Sequence, residues 1–383
     1  MRRIYLDHAA STPIHPEVAE TMLSVMRDQF GNASSVHSFG RDAKRLVNGS
    51  RDKLSMALGC RSDELVFTSG GTESDNLAIF GTVAARADQG RHIITTAIEH
   101  HAVLHACQQL EKQGYEVTYL PVDRYGRVHP EQVLEAIRQD TILVSVMYGN
   151  NEVGTIQPIE EIGSITRERG IICHVDAVQT LGSLPISCAK LPVDLMSFSA
   201  HKINGPQGIG ALYIHKDLNI EPVLYGGLQE RKRRAGTENL AGIAGFTKAV
   251  ELIVANIPER QQQDELLRRT LLDSLEKSVG SEYFHVNGAS QNQLTHIVNI
   301  SFPECDTETM LMNLDMEGIA VASGSACTSG SLEPSHVLEA MNLPQNILKS
   351  AIRFSFGLGN TSEEIEYTAQ KIGTILERIR KRR

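Results

Sequence analysis

One unit recurs through the first half of this chain and limits its fold more than any other feature. It is a short apolar run, then a polar turn, then a stretch with helical periodicity. The runs fall at 65–67, 92–96, 116–120, 141–147 and 171–176, with another ending at 199 and one starting at 209. Apolar runs of strand length alternating with helices predict an α/β fold around a mostly parallel sheet covered on both faces. Ligands of such sheets sit beyond the carboxyl ends of the strands. Thr72, His100, Asn151, Asp176, Gln179, His201 and Lys202 all fall at those ends.

The stretch from Asp194 to Ile214 holds two of the runs, joined by a polar, Gly-rich turn that brings backbone close to a ligand. Ser199-Ala-His201-Lys202 closes its first run. Lys202 has two readings from local sequence. It reaches water from a strand end, or it is desolvated, so that its neutral amine attacks an aldehyde. At 65–76 an apolar run enters Ser69-Gly-Gly71-Thr72-Glu-Ser-Asp-Asn, with a helix expected from about Leu77. Backbone N–H groups at a helix start suit an anion, although Ser69 or Thr72 also suits a plain N-cap. The polar loop 225–239 carries four basic residues, Arg231 to Arg234. It is a solvated or subunit-contact loop, or an anion-binding one.

With 383 residues the chain exceeds one small core, so two domains are expected. A net charge of −9 argues against a general affinity for nucleic acid. No apolar run reaches membrane-spanning length, and Met1-Arg-Arg-Ile-Tyr-Leu-Asp-His does not read as a signal peptide. Six cysteines without Cys-x-x-Cys or framework spacing suit a reducing cytoplasm.

A helical stretch at 239–279, broken near Pro258, leads into an α+β remainder with strands expected at 296–302, 319–321 and 352–356. Between the last two, residues 322–335 form a loop of small residues around Cys327. The other five cysteines, Cys60, Cys107, Cys173, Cys188 and Cys305, read as buried small hydrophobes. Cys327 differs, because nothing beside it would bury it. Arg353 lies within an apolar strand and needs an anionic partner.

An aldehyde cofactor held by a lysine needs a phosphate cradle, a ring stacked on it and a carboxylate beside its ring nitrogen. Gly71-Thr72, His100, Asp176 and Lys202 supply these in the order used by pyridoxal-phosphate enzymes of the aspartate-aminotransferase fold type. The chain further resembles the cysteine desulfurases of the NifS/IscS type. The matching motifs are Tyr5-Leu-Asp-His-Ala-Ala, Ser69-Gly-Gly-Thr-Glu-Ser-Asp-Asn, Glu99-His100, Asn150-Asn-Glu-Val-Gly, His174-Val-Asp-Ala-Val-Gln and Ser199-Ala-His-Lys. Arg234-Ala-Gly-Thr-Glu-Asn, Ser323-Gly-Ser-Ala-Cys-Thr-Ser-Gly and Ile352-Arg-Phe-Ser follow in the family's order.

That resemblance implies fold type I, with a large domain around a mostly parallel sheet of the seven-stranded type and a smaller α+β C-terminal domain. Residues 1–15 would be an arm on the small domain, 16–257 the large domain, and 258–383 the small domain carrying the cysteine loop. Lys202 would hold pyridoxal 5'-phosphate and later move the Cα proton. Gly71, Thr72, Ser199 and His201 would bind its phosphate, joined by Thr237 from the other subunit of a homodimer. His100 would stack on the ring and act as acid and base, Asp176 would pair with the ring nitrogen, and Gln179 would face the phenolic oxygen. Asn151 and Arg353 would take the carboxylate of L-cysteine, and Asn151 would also bind the cofactor. Cys327 would take the sulfur as a persulfide, leaving L-alanine, and it is also a candidate for transiently ligating an iron–sulfur cluster; no resident metal is expected.

The loop around Cys327 would swing between cofactor and acceptor. Its length resembles the group that serves iron–sulfur scaffolds and tRNA-thiolating enzymes. A selenocysteine lyase, a sulfinate-removing relative or an aminotransferase on the same fold are the rival activities, and a non-catalytic sulfur-carrier subunit is the rival class.

Overall fold

The computed structural model describes residues 3–324 and 334–381. Its strands are β1 (Ile4–Tyr5), β2 (Leu65–Thr68), β3 (His92–Thr96), β4 (Glu116–Leu120), β5 (Thr141–Met147), β6 (Ile172–Asp176), β7 (Leu195–Ser199), β8 (Gly210–Ile214), β9 (His285–Asn287), β10 (Ile297–Ser301), β11 (Ile319–Ala320) and β12 (Ala351–Ser355). Seven of them form the central sheet in the order β2-β8-β7-β6-β5-β3-β4. Only β8 runs against its neighbours there, so the sheet is mixed and mostly parallel, as the alternating sequence predicts.

Burial explains why these runs are strands. Every residue of β3, β5, β6, β7 and β8 is buried, as expected where helices cover both faces. One face packs with Phe67, Val144, Val146, Val175, Met196 and Phe198, and the other with Val66, Ile93, Leu143, Ile172, Leu195 and Leu212. Each such side chain contributes about 1.5–3 kcal/mol on burial. Among the described residues the outer edge of β2 has no partner strand; a buried ion pair covers it instead. Arg51 donates to the Leu65 carbonyl at 2.7 Å, and Glu230 accepts from the Phe67 N–H at 2.9 Å. The two side chains also bond to each other through both carboxylate oxygens, at 2.7 and 2.5 Å.

The helix after β2 spans Gly71–Ala85, so it starts before the Leu77 that the apolar pattern predicts. Its first turn, Gly71-Thr-Glu-Ser, is polar because it faces the end of the sheet rather than a core. The helical stretch near 239–279 is two helices, Leu240–Val254 and Ile257–Ser278, bent by 74° at the break.

A second core gathers Leu267, Leu271, Leu275, Val298, Ile300, Phe354, Phe356, Ile365 and Ile372 behind the three-stranded sheet β12-β10-β9. Ile4 and Leu6 belong to this core, and β1 pairs in parallel with β11. Val337, Leu338, Met341 and Leu348 pack instead into the first core, under the central sheet. Of the five cysteines expected inside, Cys107, Cys173, Cys188 and Cys305 are buried, whereas Cys60 is half-buried. Cys60 follows the last turn of a helix, Ser38–Leu58, where the chain leaves the core.

Candidate active site

Beyond the carboxyl ends of β2, β3, β5, β6 and β7 lies a cavity of about 380 Å³. Gly71, Thr72, His100, Asn151, Asp176, Gln179, Ser199, His201, Lys202 and Arg353 all line it. Of the remaining residues singled out in the sequence, Thr237 is exposed and outside the cavity of its own chain, and Cys327 falls outside the described residues. Among the described residues no cluster of His, Cys, Asp and Glu is arranged to hold a metal ion.

Each side chain is fixed by the element that carries it. Asp176 ends β6, where its Oδ1 accepts the Val178 N–H at 2.9 Å. Burial pushes this carboxyl up to about 6, against the Val178 hydrogen bond and the Lys202 charge. His100 caps the helix His101–Glu111: its Nδ1 accepts the Ala102 N–H at 3.1 Å, which leaves the ring proton on Nε2. Burial, and then the Lys202 charge, hold His100 down to about 4, so the ring is neutral at physiological pH. His201 is lowered to about 4 by the same two causes in the same order.

Lys202 follows β7 in a single turn of 3₁₀ helix and is partly buried, so it is not a lysine reaching bulk water from a strand edge. Its Nζ donates to the carbonyls of Ala9 (2.5 Å) and Ala10 (2.9 Å). Gln179 Nε2 donates to the same Ala9 carbonyl at 2.7 Å. Residues 9 and 10 thus roof the cavity and hold both side chains. Arg353, on β12, donates to Asp7 Oδ1 at 2.8 Å and to the Asn151 carbonyl at 2.9 Å.

Several contributors were not legible in the sequence. Asp75 lines the cavity three residues after Thr72, on the same face of the Gly71–Ala85 helix. Its carboxyl is raised well above the usual range, by burial first and by Asp176 second. His174, two residues before Asp176 on the same face of β6, bonds to Ser145 Oγ (2.8 Å) and Ser197 Oγ (3.0 Å). Burial holds His174 down to about 3, so it is a neutral imidazole that approaches Asp75 at 3.6 Å.

The basic loop is tied to its own chain: Arg234 clasps Glu73 at 2.7 and 3.2 Å, and Arg233 donates to the Asp63 carbonyl at 3.1 Å. Glu73 also accepts the Ser69 N–H at 2.7 Å, which fixes the turn before the Gly71–Ala85 helix.

The donor set fits pyridoxal phosphate. At one end a helix N-terminus, the Ser199 hydroxyl and the His201 ring suit a phosphate. A side chain at Gly71 would fill that space and strike Val178 Cγ2 at 2.7 Å. In the same cavity the buried Asp176 carboxyl suits a protonated ring nitrogen, and the Lys202 amine lines it too.

Known proteins agree with this geometry. Residues 4–368 match the family model described as aminotransferase class-V. The putative cysteine desulfurase IscS 1 of Bacillus subtilis (strain 168) is 51% identical over 380 residues, covering 99% of this chain and 100% of that protein. The solved structure of a NifS-like protein superposes with a TM-score of 0.92 at 38% identity, over 98% of this chain and 100% of that one. The structure of SspA in complex with cysteine superposes at 0.81 with 35% identity, over 92% of this chain and 98% of that one. A family match over nearly the whole length, and relatives this similar over their full extent, leave one conclusion. The chain belongs to the class-V aminotransferase family and, within it, to the pyridoxal-phosphate-dependent cysteine desulfurases of the NifS/IscS type.

Proposed function

We propose that this protein takes sulfur from L-cysteine, releasing L-alanine and leaving a persulfide on Cys327. The observation that carries this is the meeting of Thr72, His100, Asp176, Lys202 and Arg353 in one cavity, in a chain half identical to a cysteine desulfurase. The bound cysteine of the SspA structure supports the choice of substrate.

Pyridoxal phosphate, when bound, supplies the electron sink for negative charge at the substrate Cα. The remaining work falls to the chain. Gly71, Thr72, Ser199 and His201 would anchor the phosphate, Asp176 would keep a proton on the ring nitrogen, and Gln179 would face the phenolic oxygen. Lys202 would hold the cofactor through Nζ and move the proton at the substrate Cα. His100 would stack on the ring and, neutral with its proton on Nε2, would give and take protons there. Arg353 and Asn151 orient the substrate carboxylate, for which a guanidinium fork is well shaped.

The working unit is a homodimer in which Thr237 of the partner subunit completes the phosphate site; its exposed position outside its own cavity supports this. Sulfur then passes to an acceptor protein in the cytoplasm, an iron–sulfur scaffold or a tRNA-thiolating enzyme. Residues 1–15, 16–257 and 258–383 are the arm and the two domains, a division favoured by the two separate cores and the bend between the helices.

L-Cysteine with a thiol reductant is expected to give alanine and sulfide in equal amounts. Pyruvate and ammonia beside the sulfide would mark an eliminating lyase and reject the proposal.

A further inference from the structure

We infer that Cys60 and Cys188 form a second thiol centre, a dithiol that peroxide closes to a disulfide independently of Cys327. The Ser38–Leu58 helix ends on Gly59, whose left-handed backbone (φ +62°) turns the chain back across the segment 187–189. Two backbone hydrogen bonds fasten the crossing. The Cys188 N–H donates to the Leu58 carbonyl at 2.9 Å, and the Ala189 N–H to the Gly59 carbonyl at 3.1 Å. The approach is close enough that a side chain at position 59 would meet Ser187 Oγ at 2.6 Å. Between these ties Cys60 and Cys188 lie side by side, and the Cys60 thiol is the neighbour that acts most strongly on that of Cys188.

The two cysteines are unlike in exposure, as an attacking and a resolving thiol need to be. Cys60 is half-buried, whereas Cys188 is 1% exposed behind it. The neighbouring Cys60 thiol, and then burial, hold the Cys188 thiol well above its usual range. Peroxide therefore meets Cys60 first. The Cys60 thiol releases its proton and, as the thiolate, takes one oxygen from hydrogen peroxide; the hydroxide that leaves takes up the released proton, giving a sulfenic acid and water. Cys188 then attacks the Cys60 sulfur, the S–O bond breaks, its proton leaves with the hydroxyl as a second water, and the disulfide remains. Two thiols lose two electrons to one peroxide. Cys107 and Cys173, both pushed up to about 12 chiefly by burial, have no such partner among the described residues.

The test uses the full-length protein carrying Cys327→Ser, so that no signal comes from that thiol. After graded peroxide, alkylation and digestion without reductant, the expected product is a peptide pair joined through Cys60 and Cys188, released by dithiothreitol. The oxidised protein is expected to melt several degrees higher, because the staple ties a helix end to a distant turn. Adding Cys188→Ala is expected to send Cys60 on to sulfinic acid at the same dose, for want of a resolving thiol. Recovery of Cys60 as sulfinic acid while Cys188 is present, its linkage to any other cysteine, or its survival as a free thiol at doses that oxidise an exposed control thiol would each overturn the inference.

Discussion

Arg353 and Asp7, 346 positions apart, form an ion pair of 2.8 Å against the roof of the cavity. The Arg353 side chain is 3% exposed, so its charge depends on the few acceptors it has. Asp7 also bridges to Ser355 on the same strand, which fastens the arm across the site. Removing one partner of a buried pair costs about 3–5 kcal/mol where no water replaces it. Asp7→Ala is expected to lose most of that in a denaturant melt and to raise KM for L-cysteine. Arg353→Lys keeps the charge but loses the fork, and is expected to raise KM about tenfold with a smaller change in kcat.

The buried carboxyl of Asp176 gives a pH signature. Its value in the folded, cofactor-free protein is about 6 against 3.8 in the open chain, so folding takes up a proton between those values. Stability from this group therefore falls as pH rises through that window, and the full deficit stands above it. Asp176→Asn removes the deficit. The cofactor-free variant is expected to be more stable than the wild type near neutral pH by up to about 3 kcal/mol, and equal to it below about pH 4. Its affinity for pyridoxal phosphate is expected to fall. Melting curves of both cofactor-free proteins across pH check this, and a wild type that gains on the variant with rising pH would contradict it.

Histidines act in the opposite sense. His100 and His201 are held down to about 4 and His174 to about 3, each mainly by burial, against 6.5 in the open chain. The unfolded chain binds protons that these rings refuse, so their contribution is intact above pH 6.5 and is lost as pH falls through the folded values. Replacing buried His174 with Gln is expected to flatten the acid limb of the stability profile, as measured by denaturant melts between about pH 4 and 7.

How much of this was legible beforehand follows from where each partner lies in the chain. The parallel sheet was legible because β3, β5 and β6 are continuous apolar runs, and the polar residues ending them mark one rim. Asp75 was not, because the helix bearing it starts in a polar turn without periodicity, and the start was set at Leu77 instead of Gly71. With the true start, the three-residue spacing of Thr72 and Asp75 places both on the cavity. The ion pairs Arg51–Glu230 and Asp7–Arg353 join residues 179 and 346 positions apart, which no local pattern encodes. Arg353 did announce its need for an anion, by being charged inside a buried strand, but not which anion.

Both margins of the cysteine segment converge on Glu152. Ser335 donates to its Oε2 at 2.5 Å, and a side chain at Gly324 would overlap the same oxygen at 1.6 Å. Gly324→Ala is therefore expected to cut turnover at least tenfold by displacing this margin, while the cofactor's absorbance and the melting temperature of the holoenzyme change little. Equal loss of cofactor and activity would show that the site itself had collapsed.

β1 pairs with β11, Ala9 and Ala10 roof the cavity, and Arg353 binds Asp7 between them, so the proposed carboxylate site and the position of this segment are coupled through one guanidinium. The central claim, however, rests on Cys327, and its most direct measurement compares alanine formed from L-cysteine by the wild type and by Cys327→Ala. The account predicts alanine and sulfide from the wild type in the presence of a reductant. It predicts neither from the variant, which keeps its yellow cofactor. Full activity in the variant would contradict the persulfide route.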